Sequence, residues 1–227
     1  MDFTYYGHSC FAVTAAGKRL LFDPFITPNE LAKDVDVDAI AADFILVTHG
    51  HFDHVGDVMR IATRTGAQVI ANFEVYQWLG KQGLEKVHPL NPGGGFDFEF
   101  GRVKSVNAIH SSSLPDGSYG GQPSGFVVTP KEGGAFYYAG DTALTLDMKL
   151  IAEESALQFA VLPIGDNFTM GAADAAKAAG FVGVKDVVGV HYDTFPPIRI
   201  DHEAARAEFA KAGCRLHLPA IGETIAL

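Results

Sequence analysis

The run His49-Gly50-His51-Phe52-Asp53-His54 stands directly behind the apolar stretch Phe44-Ile45-Leu46-Val47. Four side chains able to bind a metal within six residues constrain this chain more than any other feature, because such a loop must be held at the end of a buried strand. Imidazole nitrogen and carboxylate oxygen are the usual ligands of first-row divalent metals where thiolates are lacking. Side chains alternate along an extended segment, so His49 and His51 fall on one side of it. Asp53 and His54 then lie at the entrance to the next helix, expected from Val55 to Thr65, where the chain turns and aims them elsewhere. One short loop can in this way serve two metals. The plain alternative is a polar loop with solvated histidines.

The rest of the pattern is rich in short β-type runs. Phe3 to Tyr6, Cys10 to Thr14 and Arg19 to Phe22 come first, with a tight turn at Ala16-Gly17. Gln68 to Ala71, Phe96 to Phe100, Val103 to Ile109, Phe126 to Thr129, Phe136 to Ala139, Phe159 to Leu162 and Val187 to Val190 follow. Helical spacing predicts further helices from an Asn72 cap to Gln82, and over Leu144 to Glu154, Ala172 to Phe181 and His202 to Lys211. No linker, internal repeat or regular βαβ alternation divides the chain. With 48% hydrophobic residues among 227, it can bury a sizeable core. These elements suit an α+β fold in one domain over 1–227, two mixed sheets with outer helices in four layers.

Strand ends carry the remaining chemistry. His110 directly follows Val103 to Ile109, Asp141 follows Phe136 to Ala139 by one glycine, and His191 directly follows Val187 to Val190. Sheets that contain parallel strands commonly build their sites at such carboxyl ends. Singly each is an ordinary loop residue; with the loop they supply what a binuclear site lacks. His8, after Gly7 at the end of the first strand, either projects over the same edge or is a hydrogen-bonded loop histidine. Asp23, before Pro24, is a turn residue or a hydrogen-bond partner for a ligand histidine. Asp166 and Asn167 either line the pocket or brace their own loop, with bracing favoured. His88, His202 and His217, the last placed in the final strand, are structural or solvent-facing. Phe195-Pro196-Pro197 forms a pocket wall or a subunit contact, and Cys10 is a small buried hydrophobe.

Composition narrows the setting. With 17 Lys+Arg against 27 Asp+Glu, net −10, a broadly basic surface for nucleic acid or anionic membrane is disfavoured. Two cysteines, Cys10 and Cys214, make no disulfide framework. The start Met1-Asp2-Phe3-Thr4 lacks the pattern of a signal peptide, and no run approaches the ~18 apolar residues of a membrane span. The expectation is a cytoplasmic protein with a small-molecule substrate, compatible with a homo-oligomer.

The loop, followed in order by His110, Gly140-Asp141 and His191, resembles the metallo-β-lactamase superfamily along the whole chain. Gly7-His8-Ser9, Asp23-Pro24-Phe25, Leu162-Pro163-Ile164-Gly165-Asp166-Asn167-Phe168-Thr169-Met170 and His191-Tyr192-Asp193-Thr194-Phe195-Pro196 bring it closer to a small cytosolic branch. That branch consists of metal-dependent hydrolases related to L-ascorbate-6-phosphate lactonases. The resemblance implies an αββα sandwich with metals at one edge of the two sheets. It implies that His49, His51 and His110 bind a first metal, that Asp53, His54 and His191 bind a second, and that Asp141 bridges them. It also makes His8 an active-site residue. At the position of His51, related di-iron oxygen-reducing proteins tend to have Glu, and they carry a flavin domain for which this chain has no room. Hydrolysis is thus favoured over redox chemistry.

The function so implied is hydrolysis by a hydroxide held between two divalent ions, Zn2+ or Mn2+. Bound to such ions, water has its pKa lowered from about 15.7 toward 7. Asp53 would orient that nucleophile or shuttle its proton. A lactone or other ester is the first substrate reading and a small phosphodiester the second. A metal-dependent binding or sensing module without turnover is the alternative from another class. No Lys or Arg adjoins the ligand motifs; Lys149 and Arg199 are the distant candidates to meet a sugar phosphate.

Overall fold

Alternation gives the strands two apolar faces. Leu20 and Phe22 point to one side and Leu21 to the other; Phe136, Tyr137 and Tyr138 divide in the same way, and all six are fully buried. A strand apolar on both faces needs a packed layer on each side. The computed structural model describes residues 1–227 and meets that need with two seven-stranded sheets, face to face, flanked by helices.

The first sheet takes β1 (Asp2–Gly7), β2 (Cys10–Ala15), β3 (Lys18–Phe22), β4 (Phe44–Leu46), β5 (Gln68–Ala71) and β6 (Val87–Pro89). The second takes β7 (Gly95–Phe98), β8 (Gly101–Asn107), β9 (Ser124–Pro130), β10 (Ala135–Tyr138), β11 (Leu157–Pro163), β12 (Asp186–Val190) and β13 (Arg215–His217). The chain then returns to the first sheet, where β14 (Thr224–Ala226) pairs antiparallel with β1, Phe3 opposite Ile225. Both sheets are mixed. Strands β1 to β3 are antiparallel and β3 to β6 parallel; β7 to β10 are antiparallel and β10 to β13 parallel.

Between the sheets lies an aromatic core. Phe11 stacks on Phe3 at 4.8 Å and on Phe22 at 4.5 Å, and Tyr138 of the opposite sheet meets it edge-on at 4.9 Å. The outer face of the first sheet is covered by α2 (Val58–Thr65) and α3 (Phe73–Lys81), after the single turn α1 (Phe52–Val55). The outer face of the second is covered by α4 (Met148–Glu154), α5 (Ala172–Val182) and α6 (His202–Lys211). No helix is long and apolar enough to cross a membrane.

Several elements differ from their sequence-based outlines. The helix expected over Val55 to Thr65 is two, broken at Gly56-Asp57. Asp57 is drawn out of the helical ladder because its buried carboxylate accepts from the backbone of Ile26 at 2.7 Å and Thr27 at 2.8 Å. Strand β8 stops at Asn107, so His110 stands three residues beyond it rather than next to it. There the backbone turns to another loop, Ile109 donating to Thr142 Oγ1 at 3.0 Å. Helix α4 begins at Met148, not Leu144. His217 lies in the next-to-last strand, because the exposed β14 has no apolar alternation to announce it.

With its ring packed between three others, Phe11→Ala is expected to remove about 3–5 kcal/mol of unfolding free energy, measured by urea denaturation. A loss below about 1 kcal/mol would contradict this packing.

Candidate metal centre

At the carboxyl end of β3 the chain enters a left-handed turn at Asp23, φ 40°. This places a fully buried carboxylate beneath the loop. Its Oδ1 accepts from the Thr48 amide at 2.8 Å. Its Oδ2 accepts from Thr48 Oγ1 at 2.7 Å, Tyr138 Oη at 2.6 Å and His54 Nδ1 at 2.8 Å. A carboxylate only accepts, so His54 carries its proton on Nδ1 and turns Nε2 outward. Thr48 gives its hydroxyl hydrogen to Asp23 and can therefore only accept from His49 Nδ1, at 3.0 Å. His49 too is left with a free Nε2. One buried anion fixes the tautomers of two histidines.

Around these free nitrogens two clusters form. His49 Nε2 lies 2.9 Å from His51 Nδ1, and the donor atoms of His49, His51 and His110 fall within 4.8 Å of one another. Those of His8, Asp53, His54 and His191 do the same. Asp141 stands between the two groups. Its Oδ2 is 2.9 Å from His191 Nε2, 3.3 Å from His54 Nε2 and 3.6 Å from His110 Nε2. Two glycines permit this approach. A Cβ at Gly140, φ 62°, would stand 2.7 Å from the Ser124 carbonyl, and one at Gly50 would stand 3.0 Å from the Leu114 side chain.

The electrostatics fit a cation. His54 Nε2 and Asp141 Oδ1 are buried and have no hydrogen-bond partner. A neutral His54 would turn the lone pair of Nε2 toward the Asp141 carboxylate, an arrangement that only a proton or a metal relieves. Without metal the proton takes that place: burial opposes charge on His54, yet Asp141 and Asp23 hold its pKa well above the usual range. Burial and the charge of His54 push His49 well below it. Burial also lowers His51 and His110. For Asp141, burial disfavours ionisation, but His191 and His54 outweigh it and keep the carboxyl well below the ordinary carboxylate value. Five imidazoles and two carboxylates, with His54 Nε2 and Asp141 Oδ1 unpartnered among them, form a donor set suited to divalent ions.

A model of the beta-lactamase superfamily domain matches residues 18–192. A UPF0173 metal-dependent hydrolase from Christiangramia forsetii is 53% identical over 228 residues, covering 100% of each chain. Another from Methylacidiphilum infernorum is 49% identical over 227 residues, again with 100% of each covered. Among solved structures, the metallo hydrolase Igni18 of Ignicoccus hospitalis is 35% identical and covers 99% of this chain and 97% of its own, with a TM-score of 0.88. The chain belongs to the UPF0173 metal-dependent hydrolases of the β-lactamase superfamily.

In this family member His8 sits beside the second cluster, buried and with φ 53°. Burial and the neighbouring His191 lower its pKa to about 4, so its ring is neutral at pH 7. Facing a carboxylate at 3.0 Å, Nε2 holds the hydrogen and donates to Asp53 Oδ2, while Nδ1 accepts from Thr194 Oγ1 at 2.9 Å. Burial works against ionisation of Asp53, but the His8 hydrogen bond and His54 keep its carboxyl below the usual range. The His8 carbonyl also accepts from the His191 amide at 2.9 Å, which ties the two loops together.

A cleft of about 800 Å3 opens above the clusters, with His51, Asp53, His110, Asp141 and His191 on its floor. Phe195 and Pro197 form part of its wall. Asp166, Asn167 and Arg199 line a different cleft of about 490 Å3, and Lys149 lies over the Phe181 ring at 4.8 Å. Asp166 braces its loop, accepting from the Asn167 amide at 2.8 Å. Residues that sequence reasoning missed include Thr48, Tyr138, Thr194 and Ser111. Thr48 adjoins the histidine run, and Tyr138 is an inward hydroxyl in an otherwise apolar strand, so both left a faint local signal. Thr194 stood within the His191 to Pro196 segment with no role assigned to it, and Ser111 left no signal.

Asp23→Asn keeps the shape but cannot accept from every donor, and is expected to weaken Zn2+ affinity about 10–100-fold in competition with a chelator. Unchanged affinity would show that Asp23 does not position the cluster.

Proposed function

We propose that residues 1–227 form one hydrolase domain with a binuclear metal site, acting on a lactone or other carboxyl ester. The carrying observation is Asp141 Oδ2, set among nitrogens of both clusters at 2.9, 3.3 and 3.6 Å. His49, His51 and His110 would hold a first ion, Asp53, His54 and His191 a second, and Asp141 would touch both. Imidazole-rich ligation suits Zn2+, while the carboxylates leave Mn2+ as the other candidate. Bound divalent ions supply a water whose pKa drops from about 15.7 toward 7, and a Lewis acid for the carbonyl oxygen.

Asp53 orients the attacking water or shuttles its proton, and His8 Nε2, donating to Oδ2 at 3.0 Å, holds the carboxylate in place. The water oxygen bonds to the carbonyl carbon, the bond from that carbon to the alcohol oxygen breaks, and the proton passes to the departing oxygen. Products are an acid and an alcohol, or one hydroxy acid from a lactone. A structural metal site would be closed by four ligands, whereas this group of side chains borders an open cleft, which supports turnover over a binding or sensing role. No Lys or Arg lines the cleft, which favours an ester over a phosphodiester. Cys10 and Cys214 are free and buried, in keeping with a reducing cytoplasmic setting.

Purified His49→Ala and Asp141→Ala are expected to lose bound metal and at least about 100-fold in kcat/KM. Full metal content with undiminished turnover in both would overturn the proposal. The substrate class is read from lactones, carboxyl esters and bis-aryl phosphodiesters, each supplied with Zn2+ and with Mn2+. Preference for the phosphodiester would shift the reading to that class. Hydrolysis of none by fully loaded protein would shift it to a binding module.

A further inference from the structure

The cleft has unlike walls. Phe52 and Phe195 flank the Asp53 side: their rings are 6.4 Å apart, both rest against the buried Phe25, at 5.4 and 6.4 Å, and Phe195 meets His8 at 5.4 Å. Phe168, from the loop after β11, also faces the cleft. On the His51 side stand Ser111, its Oγ 3.4 Å from His51 Nε2, and Ser113. Of the chain's 17 Lys and Arg residues, none reaches any part of the lining. Its only carboxylates are Asp53 and Asp141, both among the clustered donors.

Phe52 is 52% exposed and Phe168 53% exposed. Large rings held half in water at the mouth of a cleft, in a chain that buries 16 of its 24 Phe and Tyr residues, mark a surface meant to be covered. A phosphate or carboxylate carried away from the reacting bond would find no counter-charge there and would be stripped of water against aromatic faces. An alkyl or aryl group would gain by the same burial.

We propose that this cleft takes an uncharged substrate whose non-reacting part is apolar, seated on Phe52, Phe168 and Phe195, with the serines facing its polar edge. The occupant is a small ester with an alkyl or aryl substituent, not a phosphorylated sugar lactone. The reacting ester group rests on the hydrolase reading; the apolar seat does not.

The metal-loaded protein is assayed on p-nitrophenyl acetate, p-nitrophenyl hexanoate and mono-p-nitrophenyl adipate, the last matching hexanoate in length but ending in a carboxylate. A fully buried methylene adds up to about fourfold. Hexanoate is therefore expected to exceed both others at least about tenfold in kcat/KM, and the Phe52→Ala/Phe168→Ala variant to erase most of that gain. Equal rates across the three, or preference for the adipate, overturns the proposal. Independently of turnover, the neutral probe N-phenyl-1-naphthylamine is titrated into the metal-free protein by fluorescence. Binding that weakens at least fivefold in the double variant supports the seat, and absent or unchanged binding overturns it. If no ester is hydrolysed, the hydrolase reading fails while the probe still decides the seat.

Discussion

The buried carboxylate of Asp23 is the constraint on which the site depends. An ionised carboxyl with no exposure to water is tolerated only when its lone pairs are fully engaged. Here Thr48 contributes two donors, Tyr138 one and His54 one. The network draws on both sheets: the acceptor Asp23 and the donor Thr48 follow strands of the first, and the donor Tyr138 ends a strand of the second. The same contacts that join the layers therefore set two imidazole tautomers. Fold and site share one network, so the inward nitrogens of His49 and His54 are oriented by the contacts that build the fold.

From that arrangement the charge distribution follows. With the protons of His49 and His54 committed to Nδ1, the inward surface consists of bare nitrogens and the oxygens of Asp53 and Asp141. Such a surface repels itself unless something positive sits within it. The opposite displacements of His49 and His54 express this: burial and the charge of His54 push His49 well down, while Asp141 and Asp23, against burial, hold His54 well up. The overall −10 offers no basic counterweight nearby, since the cleft lining holds neither Lys nor Arg.

What the sequence disclosed was local or periodic. The loop of His49 to His54 is contiguous, and the two-residue period of Leu20-Leu21-Phe22 and Phe136-Tyr137-Tyr138 declared sheets covered on both faces. His191 and Asp141 could be placed because short, strongly apolar strands precede them. What stayed hidden depends on distant partners. Asp57 breaks a helix in order to hold the backbone of Ile26 and Thr27, and His110 is carried beyond its strand by a bond from Ile109 to Thr142. Tyr138 read as core because its hydroxyl has no meaning until Asp23 is brought against it. His8 could not be settled by reading outward from Gly7, since its partners Asp53 and Thr194 lie far along the chain.

The division between floor and walls then bears on selectivity. With two divalent ions against Asp53 and Asp141, the floor would be net positive and would draw electron-rich groups of many kinds, carbonyl and phosphoryl alike. Such a floor discriminates weakly by itself. Discrimination must come from parts of the substrate that do not react, and only the walls meet those. A wall of Phe52, Phe168 and Phe195 rejects charge through desolvation, without needing any opposing charge of its own. In this chain the floor would carry the chemistry, and the rings above it would decide what is admitted.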